Sequence, residues 1–242
     1  MSTALLRIEA LQAGYGLLKA VRSVSFDCLQ GQVLALVGAN GAGKTTLMRT
    51  IAGAHPAAAG HIVFDGQDIT ALRAPRRVGL GIAMVPEGRR LFGGMSVEDN
   101  LRVAGMRARK GPWNLDSVLE AFPQLKPKLK AAAGTLSGGQ QQATSIARAL
   151  MTNPRVLLLD EISLGLSPIA VDQVYESLQG LIRAGTTLVL VEQDLTRALQ
   201  VADRVVCMLE GGIPLQGARD ELSREQIMDA YFGLSRSPQA AH

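Results

Sequence analysis

Residues 38–45 read GANGAGKT, the spacing GxxxxGK[ST], and they follow an unbroken apolar run, QVLALV. A buried strand that passes through glycines into a helix leaves successive backbone N–H groups facing one point. Gly38, Gly41 and Gly43 let the chain wrap closely, with Ala39, Asn40 and Ala42 between them. The chemistry served is phosphate binding. Lys44 supplies a point charge for the β- and γ-phosphates of a nucleotide, Thr45 a hydroxyl for Mg²⁺, and Thr46 closes the nucleotide-binding stretch. The structural alternative is a glycine-rich turn capped by lysine.

Three further stretches carry groups of the right type. RVLLLDE ends a second apolar run in Asp160 and Glu161, the first suited to hold Mg²⁺ and the second to polarise an attacking water. Alternatively, this acidic end caps the next helix. Residues 136–140, LSGGQ, open an Ala-rich helical stretch, so that Ser137, Gly138 and Gly139 offer a hydroxyl and open N–H groups at a helix start, between Leu136 and Gln140. Taken alone, that is a capped helix. Residues 186–195, TTLVLVEQDL, end a Thr/Val/Leu strand in Glu192, Gln193 and Asp194, as strands do where a ligand sits at the carboxyl edge of a sheet.

The elements that must hold these groups alternate. LLRIEAL, VRSVSFDCL and QVLALVG read as strands, KTTLMRTIAG as a helix closing on Gly53, HIVFDGQDI as a hairpin with an Asp-Gly turn, and IAMVP as a buried strand. From Glu87 to Gly134 the chain turns helical and basic, with Ser96 as an N-cap, followed by LDSVLEAF and QLKPKLK. Strands resume with RVLLLDE and TTLVLVE, separated by PIAVDQVYESLQGLIRAG. VVCMLEGGIPLQG reads as a closing hairpin, SREQIMDAYFGL as a terminal helix and SRSPQAAH as a frayed end.

Composition bounds the possibilities. With 242 residues, 47% hydrophobic and 19% charged, the chain is globular rather than disordered. Cys28 and Cys207 stand in no metal-like spacing and point to a reducing compartment, the cytosol. The start lacks a signal-peptide layout, and no apolar run approaches the roughly 20 residues that span a bilayer. The net charge of +4 and a pI near 9.3 admit an anionic partner, but without a dense basic run interleaved with aromatics no nucleic-acid partner is expected.

Together, GANGAGKT, LSGGQ and VLLLDE, in this order and over this length, resemble the nucleotide-binding subunit of ABC transporters. The resemblance covers nearly the whole chain and implies an α/β P-loop NTPase of the ABC ATPase type. Its mixed sheet core carries an antiparallel β subdomain and an inserted helical subdomain. One domain over 1–242 is implied, with 1–86 and 155–242 as core and 87–154 as the helical part. The family also implies ATP and Mg²⁺ as cofactors, and a head-to-tail dimer in which Ser137, Gly138 and Gly139 touch the partner's γ-phosphate. Tyr15, in AGYG, matches the aromatic that stacks on adenine, a contact worth about 1–3 kcal/mol. Residues 163–167, SLGLS, match the loop that communicates across the dimer.

Two positions depart from the broad family. Glu87 stands where a glutamine is usual and Gln193 where a histidine is usual, and both are assigned catalytic-site roles. VPEGRRLF, SLGLSP, LVEQ and DAYFG together look like the second ATPase of branched-chain amino acid importers. Ile162 replaces the usual proline after the acid. The resemblance implies transmembrane permeases docked near the helical insertion and the 87–95 loop, a second ATPase subunit, an indirect periplasmic solute-binding partner, and a place on the cytoplasmic face of the inner membrane. The basic residues at 89, 90, 102, 107, 109 and 110 are expected to be solvated or partner-facing. Competing expectations are a urea or amide importer, a weakly hydrolysing nucleotide-gated dimerisation module motivated by Gln193, and a non-transport ABC ATPase.

Overall fold

The computed structural model describes residues 4–106 and 108–234, so the SRSPQAAH end lies outside the described residues, as does Arg107. Contacts divide the chain into two compact units, Met1–Ala71 with Leu190–His242, and Leu72–Val189.

Up to residue 71 the elements are β1 (Ala4–Tyr15), β2 (Leu18–Leu29), β3 (Val33–Val37), α1 (Lys44–Ile51), β4 (Ala59–Phe64) and β5 (Gln67–Asp68). Then follow α2 (Ala74–Leu80), β6 (Ile82–Val85), α3 (Val97–Gly105), α4 (Leu115–Ala121), α5 (Gly138–Leu150), β7 (Val156–Asp160) and α6 (Pro168–Arg183). The chain continues with β8 (Thr187–Val191), α7 (Leu195–Val201), β9 (Arg204–Leu209), β10 (Gly212–Ala218) and α8 (Arg224–Phe232). The boundary between units falls inside β8.

In the first unit an antiparallel sheet has the order β2-β1-β4-β5. Asp65 and Gly66 both take positive φ, 52° and 77°, which is what the two-residue turn between β4 and β5 demands. β3 runs parallel to β9, and β9 antiparallel to β10, a mixed arrangement. All five residues of β3 are buried, so the strand is apolar throughout rather than alternating. Val37, Ala198, Val205, Cys207 and Ile227 join β3, α7, β9 and α8 in one core cluster.

The second unit pairs β6 with β7 in parallel, holds the helices α2 to α6 and ends within β8. Ser96 caps α3 by accepting from the Asp99 N–H, as its sequence position suggests, and Glu98 and Asp99 occupy the first turn. QLKPKLK departs from a regular helix: Pro123–Lys128 is a 3-10 helix containing Pro127, whose missing N–H cannot extend an α-helical ladder. Two short helices, α2 and α7, lie where the sequence reading placed no element.

Candidate functional site

The phosphate loop belongs to the first unit. A Cβ on Gly38 would lie 2.2 Å from the Met208 carbonyl oxygen, and one on Gly43 would lie 2.1 Å from that of Ala20. Gly43 also takes φ 102°, so its place against β2 requires glycine on both counts. No side chain caps α1 and no acid stands in its own first turn. The Lys44 side chain is buried and turns back over the loop, donating to the carbonyls of Gly38 at 2.7 Å and Ala39 at 3.0 Å. Its ammonium is thereby fixed at the mouth of the helix rather than free in solvent. Thr45 is half-buried one residue on, Thr46 is buried, and Ala39, Asn40, Gly41 and Ala42 form the loop itself.

Tyr15 ends β1 opposite Leu18, at the tip of the β1–β2 hairpin, with its ring half-exposed. That hairpin is the one whose Ala20 backs Gly43, so the first unit brings the aromatic and the phosphate loop onto one supporting strand pair. At the far end of β8 the polar run resolves into three tasks. Glu192 is buried, Gln193 is exposed, and the Asp194 carboxylate accepts from the Arg197 N–H to cap α7.

In the second unit Asp160 ends β7 with its side chain buried, and Glu161 follows half-buried. Glu161 has φ 50°, a left-handed conformation that non-glycine residues adopt rarely and that clusters at functional sites. It does not cap α6: Ser167 does, accepting from the Ala170 N–H, with Pro168 in the first turn. Ile162 is 1% exposed, so the residue replacing the usual proline is a core side chain.

Ser137 and Gln140 form a reciprocal capping box at the start of α5. The Ser137 oxygen accepts from the Gln140 N–H, which leaves its own proton available to an external acceptor. Leu136 is buried beneath. The two glycines also have a packing role: a Cβ on Gly139 would lie 2.8 Å from the Ala170 Cβ, and one on Gly138 would lie 3.2 Å from Leu166 and 3.3 Å from Arg89. The 136–140 segment, the 163–167 loop and the 88–90 loop therefore meet.

Glu87 is exposed at the start of a loop in which Gly88, Arg89 and Arg90 all take positive φ. Helices hold that loop. Ser145 donates to the Arg89 carbonyl at 2.8 Å, the Arg89 guanidinium reaches Gln141 at 3.2 Å, and buried Asn100 exchanges hydrogen bonds with the backbone of Phe92. Of the basic residues expected to be solvated or partner-facing, Arg89 is thus engaged internally, Arg102 pairs with Glu98, and Arg109 donates to the Asn153 carbonyl.

Among the described residues no group of three or more His, Cys, Asp and Glu side chains is placed to cage a metal. Mg²⁺ needs no such cage, because it is commonly held by one or two carboxylates plus substrate phosphates and waters. Sequence reading gave no role to His55, Arg148 or Asn100. Their partners lie 41, 58 and 8 residues away, and no local pattern announces the two longer links.

The ABC transporter family profile matches residues 21–163. The chain is 41% identical to the high-affinity branched-chain amino acid transport ATP-binding protein BraG of Pseudomonas aeruginosa, across 95% of this chain and 100% of that protein. It is 35% identical to the probable branched-chain amino acid transport ATP-binding protein LivF of Archaeoglobus fulgidus, across 90% and 94%. Among solved structures, it resembles an ATP-binding cassette of an ABC transporter in its ADP conformation. The TM-score is 0.83, with 28% identity over 96% of this chain and all of that one.

Proposed function

Since the chain belongs to the ABC transporter ATPase family, we propose that it binds and hydrolyses ATP to energise an importer of branched-chain amino acids. The observation that carries this reading is the phosphate loop of α1, with its inward-held Lys44, in a chain that matches BraG over that protein's whole length. The two named relatives are both branched-chain amino acid transport proteins, which favours that solute class over urea, other amides or a non-transport role.

Each residue takes a definite part. Tyr15 stacks on adenine, residues 38–46 wrap the phosphates, and Lys44 neutralises charge between the β- and γ-phosphates. Thr45 and Asp160 would hold Mg²⁺, which supplies charge stabilisation on the phosphate oxygens. Glu161 orients and polarises the attacking water, Gln193 positions it through an uncharged amide, and Glu87 lies in the loop that senses the permease. In a head-to-tail dimer, Ser137, Gly138 and Gly139 complete the partner's ATP site. The second ATPase is a paralogue or a second copy, and the pair sits on permease subunits at the cytoplasmic face of the membrane, fed by a periplasmic solute-binding protein. No helix among the described residues is long and apolar enough to cross a membrane, which accords with docking on permeases supplied by other chains. Core 1–86 with 155–242 and helical part 87–154 are the proposed functional division.

Steady-state phosphate release tests the assignment. Lys44→Ala is expected to lose nucleotide binding and turnover together, while Glu161→Gln keeps binding and loses turnover by roughly 100-fold or more. Wild-type turnover in both variants would overturn it. Reconstitution with the cognate permeases and leucine or urea as solute decides the importer class.

A further inference from the structure

His55 lies just past the C-terminal end of α1, where the Ala54 and His55 N–H groups both return to the Arg49 carbonyl. Its imidazole Nε2 is 3.0 Å from the carbonyl oxygen of Gly14. A carbonyl only accepts, so Nε2 carries the proton and donates. The same ring packs against Tyr15, with centroids 4.4 Å apart and planes tilted by 39°. One side chain thus grips both the backbone and the ring at the tip of the β1–β2 hairpin.

Tyr15 is half-exposed, and Leu17, in the two-residue turn, is fully exposed. A stacking platform is useful only if its ring is held in place beforehand, because ordering a mobile aromatic on binding subtracts from affinity. The other end of α1 meets the same hairpin where Gly43 packs on Ala20. Both ends of the phosphate-loop helix therefore bear on the strands that carry Tyr15.

We propose that His55 is a positioning residue for base recognition, locking the Tyr15 ring and the Gly14 carbonyl to the end of α1 so that base and phosphates are read in fixed register. This rests on the reading of Tyr15 as the adenine-stacking residue. His55 touches no part of the nucleotide in this scheme and acts through Tyr15.

The test measures equilibrium affinity for ATP and for inorganic tripolyphosphate, which has the phosphates without the base, in wild type, Tyr15→Ala, His55→Ala and the double variant. Tyr15→Ala should weaken ATP binding by roughly tenfold and His55→Ala by roughly three- to fivefold. The double variant should be no weaker than Tyr15→Ala, and tripolyphosphate affinity should stay unchanged throughout. His55→Phe, which keeps a ring against Tyr15, should recover part of the ATP affinity. If Tyr15→Ala leaves ATP affinity unchanged, the stacking reading and this proposal fall together. If Tyr15→Ala weakens ATP while His55→Ala does not, the proposal alone falls. Additive losses, or an equal loss toward tripolyphosphate, would likewise overturn it, since His55 would then act on the phosphate loop or the fold.

Discussion

The Arg148 guanidinium on α5 donates at 2.8 Å to the backbone carbonyl of Arg90, 58 residues earlier in the chain. It also reaches the Arg89 carbonyl at 3.2 Å and lies 5.7 Å from the centre of the Phe92 ring. The helix that begins with LSGGQ therefore holds the 88–90 loop, across three consecutive left-handed residues. A carbonyl in such a turn has no ladder partner, so a charged donor from a neighbouring helix stabilises it more than a neutral one would.

Arg148→Ala should loosen residues 88–92 and lower global stability by about 1–3 kcal/mol, because hydrogen bonds to a charged donor are lost at a half-buried site. Amide hydrogen exchange across 88–95 should rise, while exchange in β3 and α1 stays slow. Unchanged protection of the 88–95 amides would show that Ser145 and Asn100 suffice to hold the loop.

Gly139→Ala and Ser137→Ala separate packing from capping. The added methyl at 139 would sit 2.8 Å from the Ala170 Cβ, a contact that only a shift of helix backbone relieves, so a loss of about 1–3 kcal/mol is expected. Ser137→Ala removes the capping oxygen of α5 and should cost about 1 kcal/mol. Urea melts that rank Ser137→Ala as the more damaging change would contradict the tight α5–α6 approach.

Gln193 is exposed, whereas its neighbours Glu192 and Asp194 are respectively buried and used as a helix cap. Gln193→Ala should therefore lower kcat by roughly tenfold while leaving ATP affinity and melting temperature nearly intact. Gln193→His tests whether a titratable ring changes the pH profile of turnover. Equal kcat in Gln193→Ala and wild type would return this strand end to a purely structural role.

Both cysteines are free and buried, and burial pushes the Cys28 thiol up to about 12 and that of Cys207 up to about 11. Unfolded thiols titrate around 8.5. Their folded values are raised, so the contribution to stability is complete below the unfolded value. It is lost as pH rises, because the unfolded chain releases protons that the native state retains. Denaturation midpoints should fall as pH rises from about 9 toward about 11, and substituting both cysteines by alanine should flatten that slope. At about pH 8 the native protein should resist a thiol reagent that labels both residues in denaturant. Rapid labelling of the folded protein would contradict the burial.

Contiguous features were legible from the chain alone. The phosphate loop occupies eight successive residues, the Asp65-Gly66 turn two, and the Ser96 cap four, and in each the chemistry depends on neighbours in sequence. The apolar runs of β3, β7 and β8 announced buried strands because all fifteen of their residues are buried. QLKPKLK misled because its length and composition suit a helix while Pro127 limits it to 3-10 geometry. The short helices α2 and α7 carry seven residues each, too few for a periodic pattern to register.

The family's motif residues were thus determined by sequence, since spacing along one strand–loop–helix unit dictates which backbone groups converge. Tertiary structure alone decided how those residues are held. It set the His55 ring against Tyr15, aimed Arg148 at the carbonyls of the 88–90 loop, and packed Gly139 onto Ala170. These links join residues between 31 and 59 positions apart, and which of many distant side chains meet is fixed by chain reversal and packing, not by local spacing. The type of an amino acid states what chemistry it can perform, and only the folded chain brings its partner within hydrogen-bond or van der Waals reach.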